Sequence, residues 1–341
     1  MKTTDFYFDL PEELIAQYPS AMRADDRLLT INKLTGEYSD KKFTDFPSLL
    51  NKGDVLVLND TRVRKARVFA QNENGGKVEC LFLYPKYNAE VWDVITNRLK
   101  RRHIGEVLTF RHTKAVIETI REDGICSVKF DSPIDESFFE KEGHVPLPPY
   151  IKREDEFSDE ARYQTVYSKN LGSCASPTSG LHFTRNILDE IQNKGVIITY
   201  VTLHVGMGTF MPLRETNIED HKMHSERFNI SEETANIINT AKLENRTIVA
   251  SGTTVVRTLE SMWNRETSAL KSGSGETDIF IYPGFKFNVV DKLLTNFHTP
   301  ESTLFALVCA FSSMDIAKNA YKHAVESKYR FFSYGDATFF Y

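Results

Sequence analysis

Apolar and polar positions change their rhythm twice along the chain. In the first stretch, Pro11-Glu-Glu-Leu-Ile15 reads as a short helix started by proline and closed before Tyr18-Pro19. Arg27 to Asn32, a Thr35-Gly36 turn and Glu37-Tyr38 predict a hairpin, and Phe43 to Leu50 a second short helix. Val55-Leu-Val-Leu58 is then apolar at every position and ends in the polar cluster Asn59-Asp60-Thr61-Arg62. A strand apolar on both faces belongs inside a parallel sheet, and polar residues at its C-terminal end stand where such sheets hold ligands.

From Arg64 to about Asp131 no helical period appears. Lys77 to Leu83, Val91 to Ile95, Val107 to Phe110, Ala115 to Ile120 and Cys126 to Phe130 are closely spaced strand-like runs parted by glycine or polar turns. A small closed or partly open barrel hides the edges of such strands. Pro146-Leu-Pro-Pro-Tyr-Ile151 reads as a rigid extended linker leaving it.

Strands and helices then alternate again. Gly195 to Gly206 is a buried strand, Glu232 to Ala241 a helix and Thr247 to Ala250 a strand; Gly252 to Trp263 is a loop running into a helix. Asp278 to Tyr282 and Leu293 to His298 are further strands, and Ser302 to Phe311 is a helix. The expected fold is an α/β main domain, discontinuous over 1–64 and 148–341, with an inserted all-β, barrel-like domain over 65–147.

Chemistry gathers at the ends of the predicted strands and the starts of the following helices. Ser173-Cys-Ala-Ser-Pro-Thr-Ser-Gly-Leu-His-Phe-Thr184 is a loop of small residues, with Thr184 placed to cap the helix that carries Ile187, Leu188 and Ile191. His182 is therefore expected near a helix N-terminus. Asn59, Asp60 and Arg62, His182, His204, Thr253 and Thr254 with Arg257, and Asn296 with His298 should converge on one sheet edge and share one pocket. Thr178, Gly180 and Gly206 fall in the same loops and strand ends.

Composition narrows the class. With 41% apolar and 26% charged residues in 341, the chain is that of an ordinary globular protein, and its length suggests two domains. Net charge is −5, yet Arg98-Leu-Lys-Arg-Arg-His103 is a concentrated basic cluster, so Arg98, Lys100, Arg101 and Arg102 are candidates for nucleic-acid phosphates. No apolar run reaches membrane-spanning length and Met1 to Asp9 does not resemble a secretory signal, which leaves a cytoplasmic protein as the expectation.

Cys80, Cys126, Cys174 and Cys309 lack metal or disulfide spacing. Cys174, in the loop, reads as a buried thiol with a nucleophile as the alternative. His221 and His224, three apart, would face one ion only on a helix and have no companion ligands, so no metal is expected. Gly206-Met-Gly208 lacks the third glycine of a dinucleotide fingerprint, and there is no P-loop.

Longer motifs carry the reading further. Leu10 to Pro19, Asn59-Asp-Thr-Arg-Val63, Pro146 to Ile151, Tyr163-Gln-Thr-Val-Tyr167, Pro177 to Thr184, Thr202-Leu-His-Val-Gly206, His221 to Glu226, Gly252-Thr-Thr, Arg257 to Ser261, Thr277 to Gly284, Leu294 to His298 and Tyr329 to Asp336 fall in order along nearly the whole chain. In this they resemble the S-adenosylmethionine:tRNA ribosyltransferase-isomerase family of queuosine synthesis. The resemblance implies transfer and isomerisation of the ribosyl part of S-adenosylmethionine onto 7-aminomethyl-7-deazaguanine at the wobble position of a tRNA with a GUN anticodon. Adenine and methionine leave and an epoxy-cyclopentane remains. It implies S-adenosylmethionine as co-substrate, no further cofactor and a monomer, with His182, His204 and His298 as the candidate proton carriers of that reaction and Asn59, Asp60, Arg62, Thr178, Gly180, Gly206, Thr253, Thr254, Arg257 and Asn296 as its substrate-binding candidates.

The chain departs from the family pattern at Val63-Arg-Lys-Ala-Arg67, Thr96-Asn-Arg-Leu-Lys-Arg101, Ser176-Pro-Thr-Ser-Gly180 and Phe297-His-Thr-Pro-Glu301. These departures leave a second reading open: a non-catalytic tRNA-binding paralogue, or one with a changed acceptor.

Overall fold

The protein is described by a computed structural model at residues 1–206, 213 and 215–341. Its largest element is a nine-stranded mixed sheet in the order 273–277, 226–230, 197–203, 55–59, 248–251, 292–296, 337–340, 27–31, 38–42. The four strands Ile197–Leu203, Val55–Asn59, Ile248–Ser251 and Lys292–Asn296 run parallel, so their C-terminal ends share one edge. The continuous apolar run at Val55 to Leu58 is explained by burial on both faces. Val55 and Val57 pack toward the helices Glu232–Leu243, Thr253–Met262 and Thr303–Phe311, while Leu56 and Leu58 meet Phe43, Phe46 and the helix Arg185–Asn193. Each such side chain contributes about 1.5–3 kcal/mol by leaving water, so a charge at Leu56 or Val57 would break the layer it faces.

The helix Arg185–Asn193 starts where Thr184 predicts it. The Thr184 hydroxyl accepts the Ile187 N–H at 3.2 Å, and Ile187, Leu188 and Ile191 form the buried face.

The second sheet uses strands from Arg67–Gln71 to Gly143–His144 and closes on itself. The run 67–71, 77–86, 91–96, 125–130, 114–120, 107–109 is antiparallel throughout, and Gln71 pairs with Thr109 to complete the barrel. Its core is aromatic: Phe82 meets Trp92 at 5.8 Å and Phe139 at 5.2 Å. Phe138 and Phe139 come from the helix Glu136–Glu142, which sequence patterning did not predict.

Three other expectations differ. Asp278 to Tyr282 joins no ladder; the strand lies just before it, at Gly273–Thr277. Side chains take the backbone bonds there: the Thr277 hydroxyl accepts the Ile279 N–H at 3.2 Å, and Arg257 Nε donates to the Ile279 carbonyl at 3.1 Å. The segment Pro146 to Ile151 is packed and not a free linker, since Leu147 and Ile151 are buried with Val63, Tyr163, Leu181 and Tyr334. The short helices near Pro11 and Phe43 are 3-10 turns, Glu12–Leu14 and Phe43–Leu49. The helix Met314–Glu326 and the strand Ala337–Phe340 went unpredicted.

Candidate active site

At the shared sheet edge the parallel strands deliver Asn59, His204, Gly252 and Asn296. Gly252 has φ +97°, and a Cβ there would stand 2.8 Å from Ser179 Oγ, so only glycine lets the helix Thr253–Met262 begin against the 178–182 turn. Thr178, Thr253, Thr254 and His298 are thereby brought around one small cavity of about 40 Å³. Through Thr178, His298 and Leu304 it adjoins a larger one of about 500 Å³, walled also by Asn296, Tyr150 and Phe332.

The walls of the larger cavity are set by one strained residue. Phe332 has φ +73°, a left-handed conformation rare for a bulky side chain and held only where its surroundings fix it. Its N–H donates to the Phe297 carbonyl at 3.0 Å, and its own carbonyl accepts Asn296 Nδ2 at 2.9 Å and the Gly335 N–H at 3.0 Å. The Phe332 ring stacks on Tyr150, centroids 4.1 Å apart and planes 19° from parallel, and Tyr150 Oη meets Ser333 Oγ at 2.5 Å. Asn296 is held in turn: its Oδ1 faces His182 Nε2 at 3.3 Å, His182 Nδ1 meets Asp26 Oδ2 at 2.6 Å, and Arg330 Nη2 donates to Asp26 Oδ1 at 2.7 Å. Burial alone would raise the Asp26 carboxyl, but His182, Ser20 and Arg330 outweigh it and hold the group below the usual carboxylate range.

This changes the roles expected of the histidines. His182 is 2% exposed, has both ring nitrogens engaged, and stands behind Asn296, so it is a positioning residue. His298 lines both cavities, with Nε2 3.0 Å from Thr295 Oγ1. Burial pushes its pKa down to about 3, so near neutral pH it is an uncharged hydrogen-bonding group and not a carrier that charges and discharges.

His204 opens onto a separate cleft of about 580 Å³ with Arg64, Tyr84, Arg227 and Glu276. Its Nδ1 lies 2.7 Å from Thr61 Oγ1; burial, with help from Arg64 and Arg227, lowers its pKa, which leaves the imidazole in the form able to accept a proton.

The remaining candidates divide between wall and scaffold. Asn59 is buried and spends its amide on Leu203 and Thr254, bonding the Leu203 carbonyl at 3.0 Å and Thr254 Oγ1 at 3.3 Å. Asp60 accepts from Thr202 Oγ1 at 2.6 Å and from Asn170. Arg257 is buried in an ion pair with Glu226, so it braces the sheet and does not meet solvent. A Cβ at Gly180 would fall 2.2 Å from Tyr167 Oη, which makes this glycine a packing requirement. Gly206 donates its N–H to Glu226 Oε1 at 2.9 Å and borders a cleft of about 720 Å³ between barrel and sheet. Arg62 is exposed in a different cleft, beside Lys65 and Glu160. The single shared pocket is thus reduced to Thr178, Thr253, Thr254, Asn296 and His298. Gly208, from the glycine pair, lies outside the described residues.

In the basic cluster Arg98, Lys100 and Arg101 are exposed on a turn of the barrel. Arg102 is not: its side chain is 6% exposed and its guanidinium lies 2.7 Å from the buried Glu106, so it stabilises the barrel and cannot reach a phosphate. Cys174 is buried and its thiol, pushed up to about 12 by burial, stays protonated, which excludes the nucleophile reading. His221 and His224 lie on irregular backbone with no helix to align them, and among the described residues no group of three or more metal-ligating side chains occurs.

The departure at Arg64-Lys65 places both side chains in ion pairs with exposed acids of the same chain, and Arg64 also lines the His204 cleft. Arg64 pairs with Glu136 at 2.6 Å, and Lys65 pairs with Glu140 at 3.3 Å and Glu160 at 2.9 Å. Tyr150 and Phe332, the aromatic walls, were not expected from patterning; their only trace in the sequence is that each falls within one of the longer motifs, Pro146 to Ile151 and Tyr329 to Asp336.

A closed antiparallel barrel joined to a large mixed sheet flanked by helices, with clefts at the C-terminal edge of its parallel strands, defines an α/β protein with an inserted barrel and with candidate ligand sites where such sheets hold them. Residues 3–340 match the family described as queuosine biosynthesis protein, and the chain belongs to that family. It is 50% identical to the S-adenosylmethionine:tRNA ribosyltransferase-isomerase of Treponema denticola, with 99% of each chain covered. It is 49% identical to the protein of the same name from Acetivibrio thermocellus, again over 99% of each. The crystal structure of S-adenosylmethionine tRNA ribosyltransferase from Thermotoga maritima is similar at a TM-score of 0.57 and 32% identity, covering 99% of this chain and 100% of that one.

Proposed function

We infer that this chain is a transferase with the activity for which its relatives are named. It moves the ribosyl group of S-adenosylmethionine to 7-aminomethyl-7-deazaguanine in tRNA and rearranges it, releasing adenine and methionine. The observation that carries this is likeness along nearly the full length, 50% identity over 99% of both chains, together with clefts at the strand edge where the family motifs meet. The sulfonium acidifies the neighbouring C5′ hydrogens, so the chemistry calls for a positioned base, hydrogen bonding to departing adenine, and exclusion of water. His204, neutral and at a cleft mouth, suits the base; His298 suits a hydrogen bond to a neutral group.

The finer reading is that the acceptor is a tRNA with a GUN anticodon and that the chain acts as a monomer in the cytoplasm, with S-adenosylmethionine as co-substrate and no metal or redox cofactor. Residues 65–147 form the module that holds tRNA backbone, through Arg98, Lys100 and Arg101, while 1–64 and 148–341 carry the chemistry. Arg64 and Lys65 are engaged in ion pairs with Glu136, Glu140 and Glu160 of the same chain, so that departure lends a non-catalytic paralogue no support.

The test is incubation of the purified protein with S-adenosylmethionine and tRNA bearing the aminomethyl-deazaguanine. Adenine and methionine should appear together, and only with the modified tRNA. No adenine release under those conditions refutes the proposal.

A further inference from the structure

The two clefts differ in chemistry. Among the described residues, the walls of the 500 Å³ cavity hold no carboxylate, lysine or arginine; they offer the stacked Tyr150 and Phe332 rings, apolar Leu10, Ile15 and Leu304, hydroxyls and one imidazole. Its volume is that of a small-molecule site, roughly 300–1,000 Å³. The second cleft carries Arg64, Arg227 and Glu276. S-adenosylmethionine and the acceptor base contain charged parts (sulfonium, α-amino acid, aminomethyl ammonium) and two uncharged planar rings, the 6-aminopurine and the 7-deazaguanine, of which only the second carries an ammonium arm. A charge moved into an uncharged apolar cavity loses hydration without repayment, whereas a neutral heterocycle gains by stacking.

We propose that the cavity between Tyr150, Phe332 and His298 is the adenine subsite, holding the base of the co-substrate before transfer and of the product after it. The proposal rests on the reaction inferred above. Three features support it. The aromatic wall that a planar ligand would meet is the pair Tyr150 and Phe332, the two rings already stacked on each other and the strained Phe332 backbone pinned by the Asn296, His182, Asp26 and Arg330 relay, so this wall is built before the ligand arrives. Adenine alternates an amino donor with ring-nitrogen acceptors, and a neutral imidazole with hydroxyls of Thr178 and Ser333 offers the complementary mix. The guanine-type edge of the acceptor presents adjacent N–H donors, which call for a carboxylate, and its ammonium calls for another.

The experiment is equilibrium dialysis of radiolabelled adenine against the full chain, with turnover measured on the same preparations. Adenine should bind the wild-type protein, and Phe332→Ala should weaken binding about 5- to 100-fold through loss of one stacking face. Leu304→Trp, which fills the cavity with apolar atoms, should also weaken it at an unchanged melting temperature, and it decides the matter where Phe332→Ala fails to fold. Free 7-aminomethyl-7-deazaguanine should not displace the label. Binding untouched in a folded cavity variant, displacement by the deazaguanine, or no wild-type binding up to millimolar adenine overturns the subsite. If the wild type nevertheless releases adenine on modified tRNA, the inferred reaction survives that failure; absence of release removes the reaction itself.

Discussion

His298 allows a quantitative test of how the site is built. Its side chain is buried, with a pKa near 3, against about 6.5 in an unfolded chain. A histidine whose folded value is depressed binds fewer protons when folded than when unfolded at every pH between the two values. Stability therefore rises with pH across that window and is flat above it, and it is lost as pH falls below about 6.5. The slope approaches ~1.4 kcal/mol per pH unit, so going from pH 7.5 to 5.0 should cost about 2 kcal/mol from this residue alone. Urea unfolding at both pH values, for the wild type and for His298→Gln, isolates the contribution, because the other eight of the nine histidines cancel in the difference. The variant should lose about 2 kcal/mol less than the wild type on acidification. Equal losses in the two proteins would mean that His298 charges freely in the folded state, and its exclusion as a proton carrier would fall with that.

Other outcomes follow from the same geometry. Asp26→Asn should cost about 1–3 kcal/mol, because it strips the charge from bonds to His182 and Arg330; thermal melting at pH 7 measures it. With its folded pKa depressed, the stability Asp26 supplies is present above the unfolded carboxylate value of about 3.9 and lost as pH falls through the lower folded one, so wild type and variant should converge in strong acid. Lys100→Ala with Arg101→Ala should weaken all tRNAs alike and flatten the salt slope by roughly 0.7–0.9 for each phosphate left unneutralised. Arg102→Ala should instead cost about 3–5 kcal/mol of stability by leaving Glu106 buried and unpaired, with the salt slope unchanged in whatever remains folded. Activity should survive extensive chelation, and a loss restored by one divalent ion beyond its effect on tRNA folding would revive a metal role for His221 and His224.

By itself the sequence determined the elements whose cause is local or periodic. The wholly apolar Val55 to Leu58, the Thr184 cap and the closely spaced strands of the barrel segment follow from side-chain period and capping chemistry, and the structure carries all three. It also located the edge where Asn59, His204, Thr253 and Asn296 meet, since parallel strands must end together.

Only the tertiary structure decided which of those polar groups face a cavity. His182 and His298 look alike in sequence, each following a short polar stretch and one large apolar residue, Leu181 or Phe297, yet one is enclosed by Asp26 and Asn296, from opposite ends of the chain, and the other lies on a cavity wall. Arg102 sits beside Arg101 in the chain but folds inward onto Glu106. Asp278 to Tyr282 has strand composition, but Thr277 and Arg257 claim its backbone groups. The stacked wall joins Tyr150 to Phe332, 182 positions apart in the sequence. Burial and partner choice depend on contacts between residues distant in the chain, and local pattern carries no record of them.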